Sequence, residues 1–241
     1  MKLEEMTWCE VQSYLDRTSG IILPTGSIEQ HGPIGLIGTD SICAREISWA
    51  AARQCDAVVA PEISYAPAPF NMSFPGTISL DADVYEKLVS NVLSCLFHHG
   101  FQRIYILNAH GANLDVLKLL ANKHSGSIRV KSWWDFDLVN TLRNQFYGEW
   151  EGMHATPSEV AITQKTHRVV RVERLDAPEK LSQDFIKAHA GDKHGPPHEH
   201  RAQFPDGRVG SHSGLATAKH GKILLDTAAA CVAKDYLDFL G

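Results

Sequence analysis

No apolar run in this 241-residue chain approaches the roughly 18 residues of a membrane-spanning helix, which argues against an integral membrane protein. The opening Met-Lys-Leu-Glu-Glu-Met is too acidic and polar for a secretory signal, so a cytoplasmic location is expected. Cysteine is sparse: Cys9, Cys43, Cys55, Cys95 and Cys231 are odd in number, widely spread and never in a CxxC pair. That spacing fits neither a disulfide framework nor a thiolate zinc site, and the five are expected to be small buried residues. Basic residues are outnumbered, 23 against 28 acidic, for a net charge of -5. No global positive field is available to hold nucleic acid or an anionic membrane, and neither is expected as a partner. There is no internal repeat, no low-complexity tract, no P-loop, no G-x-G-x-x-G fingerprint and no G-x-S-x-G elbow.

What is present is an ordinary globular composition, 44% hydrophobic and 21% charged, expected to form a single domain over 1–241. Gly20 to Pro24 reads as a buried strand running into a polar loop, and apolar positions at helical spacing from Ser41 to Gln54 read as a helix with Asp40 as its N-cap. Ala57 to Ala60 is a second strand, which makes a βαβ unit. An amphipathic helix over Asp83 to His99 stops at Gly100, and a strand from Arg103 to Leu107 leads through a polar turn into a helix over Leu114 to Lys123. A further strand is expected in Ile128 to Trp134, a helix in Pro157 to Lys165 and a closing helix in Thr217 to Leu240. This alternation predicts an α/β domain with a mainly parallel, buried sheet. Residues 176–213, rich in proline and histidine, read as a long excursion that could supply a metal ligand, a substrate lid or a subunit contact.

Thirteen histidines exceed what packing needs and point toward metal or acid-base chemistry. In open α/β sheets ligands lie at the carboxyl ends of the strands. Glu29, His31 and Asp40 follow the first strand, and His110 follows the third within Asn108-Ala109-His110-Gly111-Ala112-Asn113. Carboxylate and imidazole donors without thiolates suit zinc, manganese or iron, and an Asp that bridges two ions suits a dinuclear hydrolase. Each residue alone has a plainer reading as a turn or cap; their co-location at one rim carries the argument.

At these residues the chain resembles the creatininase (creatinine amidohydrolase) family. The run Leu23-Pro24-Thr25-Gly26-Ser27-Ile28-Glu29-Gln30-His31-Gly32-Pro33 with Gly38-Thr39-Asp40 is similar to the family's first signature. Phe74-Pro75-Gly76-Thr77-Ile78-Ser79-Leu80, the His110 turn and Gly214 to Gly221 resemble later motifs in the same order. The resemblance implies a three-layer α/β/α sandwich, two divalent ions per chain (zinc or manganese, with iron an option), hydrolysis of a non-peptide amide or cyclic amidine C–N bond in a small substrate, and a homo-oligomer, commonly a hexamer. By the same resemblance Glu29 and His110 would bind one ion, His31 the other and Asp40 both. His154 would be the catalytic histidine, and Trp150 would contact substrate.

Creatininase itself carries a ligating Glu where this chain has Ala112, so Glu159, five residues after His154, is assigned as the replacement ligand. Asn71 stands where a histidine is often found, which casts doubt on creatinine as substrate. Ser27, Ser73 and Cys43 lie near the motifs without a nucleophile elbow and are read as turn or capping residues, with Ser73 kept beside Trp150 as a candidate substrate contact. A formamide deformylase, a small-peptide-trimming hydrolase and a metal-binding scaffold without turnover stand as alternatives.

Overall fold

A computed structural model describes all residues, 1–241. Four parallel strands form one sheet in the order β2-β1-β3-β4: β1 Gly20–Thr25, β2 Val58–Val59, β3 Arg103–Asn108 and β4 Ile128–Ser132. Alternate side chains of the central strands enter different cores, because successive Cβ atoms point to opposite faces of a sheet. Ile21, Leu23, Ile104 and Ile106 join one core with helices α1 (Trp8–Leu15), α3 (Ala82–His98) and α4 (Leu114–Lys123). Ile22, Tyr105 and Leu107 join the other with α2 (Thr39–Cys55), α5 (Asp137–Tyr147), α6 (Pro157–Thr166) and α9 (Ala218–Leu240). Helices on both faces of a parallel sheet make the expected three-layer sandwich, and they explain why β1 is apolar from Gly20 to Pro24: all six of its residues are buried, and the polar Thr25 comes last.

The layer holding α6 and α9 is tight enough to dictate residue size. A Cβ at Gly221 would lie 1.9 Å from the Ala161 carbonyl oxygen, so α9 crosses α6 with backbone against backbone. Ala228, Ala229 and Ala233 continue the small-residue face of α9 into the core.

Several expectations change. Helix α2 begins at Thr39 with Gly38 as N-cap, so Asp40 is a buried first-turn residue and not the cap. Of the five cysteines only Cys43 is buried; Cys9 and Cys95 are exposed, because they lie on the outer faces of α1 and α3. The strand after α4 stops at Ser132, where the chain turns and Asp135 accepts from the Ser132 N–H at 2.8 Å. The sequence pattern also missed α1, α5 and two short helices on the excursion, α7 (Gln183–Ala188) and α8 (Pro197–Gln203).

Candidate metal centre

The carboxyl ends of β1 and β3 lie side by side, Thr25 opposite Asn108, and the two following turns converge. Asn108 organises the second turn: its Oδ1 accepts from Thr25 Oγ1 at 3.1 Å and Asn113 Nδ2 at 3.2 Å, while its Nδ2 donates to the His110 carbonyl at 2.8 Å. The first turn is fastened to α2. Ser41 Oγ donates to the Ser27 carbonyl, and Ser27 Oγ donates to Asp40 Oδ2 at 2.8 Å. Ser27 therefore aims the Asp40 carboxylate as well as shaping the turn.

The Asp40 carboxylate spans two histidines. Oδ1 is 2.9 Å from His31 Nε2, and Oδ2 is 3.0 Å from His110 Nδ1. Glu29 Oε1 lies 3.0 Å from the same His110 nitrogen, and Glu159 Oε1 lies 3.8 Å from His31 Nε2. The side chains of these five residues are buried or nearly so. Two sets of donors thus converge within 4.8 Å, Glu29-Asp40-His110 and His31-Asp40-Glu159, with Asp40 common to both. Glu29, His31 and His154 form a third such set.

Proton accounting tests whether cations fit here. His110 Nε2 is 2.7 Å from the Pro67 carbonyl and His31 Nδ1 is 3.1 Å from the Glu29 carbonyl, so each of these nitrogens must donate. A neutral imidazole then presents a bare lone pair on its other nitrogen, aimed in both cases at carboxylate oxygen. Buried Glu29 Oε1 has no hydrogen bond although His110 Nδ1 is 3.0 Å away. Acceptor facing acceptor is repulsive unless a cation lies between or the ring takes a second proton. Without metal the fold takes the proton: burial disfavours charge on His31, but Asp40, then Glu159 and Glu29, outweigh it and raise the pKa to about 10. His110 is raised well above the ordinary value in the same way, burial being overcome by Glu29 and Asp40. No Lys or Arg pairs with Glu29 or Asp40, so their charge is left for histidine protons or for divalent ions. The donor set fits such ions, with each histidine held by a carbonyl through its outer nitrogen, as metal-ligating histidines commonly are.

Glu159 has two roles in the geometry. As the third residue of α6 its Oε1 accepts from the Thr156 N–H at 2.5 Å, closing a capping box, and it also lines the cavity over the centre. Burial raises its pKa to about 8 against the pull of His31. His154, at the entry to α6, has Nε2 2.7 Å from the Gln30 carbonyl and Nδ1 3.8 Å from Glu29 Oε1. Burial lowers its pKa to about 4, so near neutral pH it is uncharged.

A family model for creatininase, described as creatinine amidohydrolase, matches residues 4–235. The chain belongs to the creatininase family. It is 27% identical over 179 residues to the creatinine amidohydrolase of Pseudomonas putida, covering 66% of this chain and 68% of that one. Over 109 residues it is 32% identical to the mycofactocin precursor peptide peptidase of Mycolicibacterium smegmatis, covering 40% of this chain and 41% of that one. A solved structure described as creatininase Mn superposes with a TM-score of 0.76 at 21% identity, covering 99% of this chain and 98% of that one, and so shares the fold.

In this creatininase-family hydrolase the cavity above the donors has a volume of ≈ 200 Å³. Two expected contacts lie outside its walls. Trp150 packs edge-to-face on His212 at 5.8 Å under Lys180, and Ser73 offers its carbonyl to Arg201. The aromatic wall is instead Trp133 and Trp134, just past β4, with Arg143 from α5 and Asp192 from the excursion completing it. Sequence reasoning missed these four; Trp133-Trp134 at a strand end was the available signal. Asn71 was noted only as a departure, yet its Nδ2 donates to Glu29 Oε2 at 2.8 Å while its Oδ1 accepts from Gln30 Nε2 at 2.8 Å.

Proposed function

We propose that this protein is a dinuclear, divalent-metal-dependent amidohydrolase that cleaves the C–N bond of a small non-peptide amide or cyclic amidine. The observation that carries the reading is the Asp40 carboxylate, whose two oxygens face the metal-competent nitrogens of two different histidines. Glu29, Asp40 and His110 would hold one ion, and His31, Asp40 and Glu159 the other. Bound zinc or manganese would supply a water nucleophile near neutral pH and polarise the acyl oxygen.

The rest of the chemistry falls to the chain. The water oxygen joins the acyl carbon, the C–N bond breaks and the nitrogen leaves with a proton. His154 is placed for that transfer: with Nε2 donating to the Gln30 carbonyl, its neutral ring keeps Nδ1 free to take a proton and pass it to the departing nitrogen. The Gln30 carbonyl fixes the ring through Nε2. Trp133 and Trp134 give the substrate an apolar wall, and the cavity falls below the roughly 300–1,000 Å³ of drug-sized pockets, which supports a small substrate.

The 32% identity to a precursor peptide peptidase supports a second reading, in which the cavity takes one end of a short peptide. Assembly as a homo-oligomer, a hexamer for choice, is part of the proposal and is checked by light scattering on the eluting protein. The deciding experiment is metal analysis of the purified chain followed by a panel of creatinine, lactams, formamides and short peptides. Two ions per chain with turnover of a non-peptide amide supports the first reading. Cleavage of peptides alone selects the second, and a metal-free chain that cannot be loaded would overturn both.

A further inference from the structure

Residues 176–213 leave the layered body and return to it, and one side chain on that excursion reaches the candidate centre. Asp192 lines the same cavity with its side chain 12% exposed. Its Oδ2 lies 4.0 Å from His110 Nδ1, the nitrogen that faces Glu29 and Asp40. Its Oδ1 lies 4.0 Å from Nε2 of His194, a ring 2% exposed whose Nε2 has no hydrogen-bond partner. Both contacts are too long to be hydrogen bonds; the carboxylate is held by the backbone N–H of Ala112, the residue after the Gly111 it faces.

The placement is built into the fold at two points. Asp192 sits at φ 56°, a left-handed conformation that non-glycine residues seldom adopt, although Asp tolerates it better than most. On the opposite side the chain has no side chain: a Cβ at Gly111 would lie 2.2 Å from Asp192 Oδ2. Asp192 belongs to none of the donor sets that converge within 4.8 Å, so it stands one layer outside the ligands.

We infer that Asp192 is an outer-sphere carboxylate of the cation held by Glu29, Asp40 and His110, and that it couples binding of that cation to docking of the excursion over the cavity. The inference rests on the metal-dependent reading above. A negative charge beside a site already short of cations strengthens the hold on a divalent ion, and the ion in turn draws Asp192, with the segment that carries it, toward His110. Groups in this layer commonly change metal affinity by about 10- to 100-fold.

The test uses the full chain stripped of metal and titrated with Mn²⁺, alongside Asp192→Asn, Gly111→Ala and the double variant. Asn keeps the shape of Asp and tolerates the left-handed backbone, so an unchanged melting temperature of the metal-free variant verifies its fold. Trypsin reports docking, since Lys187 and Lys193 on the excursion are exposed. In the wild type Mn²⁺ should slow cleavage there. Each single variant should bind one Mn²⁺ at least roughly 10-fold more weakly and lose that protection. The double variant should be no worse than either, because both changes remove the same interaction. Wild-type affinity and protection in Asp192→Asn would overturn the inference while leaving the metal centre standing. A wild-type chain that binds neither Mn²⁺ nor Zn²⁺ would overturn both together.

Discussion

Asp40 and Glu159 show how one carboxylate can satisfy a plain structural need and a chemical one. A first-turn acid on a helix is worth no more than about 1 kcal/mol. Asp40→Ala should nevertheless abolish turnover and remove more than one metal equivalent, because two sets of donors share it; two ions per chain in an active variant would rule out the bridging role. Glu159→Gln keeps a capping box, which accepts Gln as readily as Glu, so stability should hold while the metal count drops toward one per chain. His154→Ala should lower kcat by roughly 10²- to 10⁴-fold with metal content intact. The protonation of the metal-free site sets a sign as well. With His31 raised to about 10 and His110 raised too, both rings carry an extra proton near neutral pH, and ligation must expel it. Metal uptake should release protons and tighten as pH rises from about 6 to 9, measured as a dependence of binding heat on the ionisation enthalpy of the buffer. Glu29, His31, Asp40 and His110 were legible because they crowd two strand ends, and Glu159 because the resemblance marked its place. Trp133, Trp134, Arg143 and Asp192 were not, since only the folded chain brings β4, α5 and the excursion to that rim.

The strands were readable for a related reason: a parallel strand covered on both faces becomes an uninterrupted apolar run, as in Gly20 to Pro24. Helix α5 escaped because only Val139 and Tyr147 of its eleven residues are fully buried, which leaves a mostly polar sequence with a thin stripe. Helix α6 is the opposite case: its residues from Pro157 to Thr163 are all buried, so amphipathic periodicity is nearly absent and Pro157 had to mark its start. Its crossing with α9 allows a sharp test. Gly221→Val should cost about 3 kcal/mol or more, as overpacking against a fixed carbonyl does, read as a lowered urea midpoint. Leu138→Ala on the exposed face of α5 serves as the control and should stay within about 0.5 kcal/mol.

For the whole molecule, the centre joins residues from the loop after β1, the turn after β3 and the start of α6, so a bound cation stabilises the native state by mass action. At a free metal concentration near one hundred times Kd the gain is about 2.7 kcal/mol, or roughly 5–10 °C in melting temperature for a chain of this size. Chelation should remove that increment and re-addition should restore it. An unchanged melting curve would mean that the native fold gains nothing from divalent ions.

The strand order also bears on synthesis. Strand β1 emerges from the ribosome early, yet the partner along its full length, β3, follows 83 residues later, the separation between Thr25 and its pairing partner Asn108. At common elongation rates that is a wait of roughly 4–17 s with the core residues Ile21, Ile22 and Leu23 uncovered on a nascent chain. Only the two residues of β2 and a single bridge from Ile63 to Thr25 can pair with it meanwhile. Chains halted before Arg103 should therefore be held by chaperones or aggregate, and full-length chains, in which β3 is paired and α5, α6 and α9 cover the second face, should not.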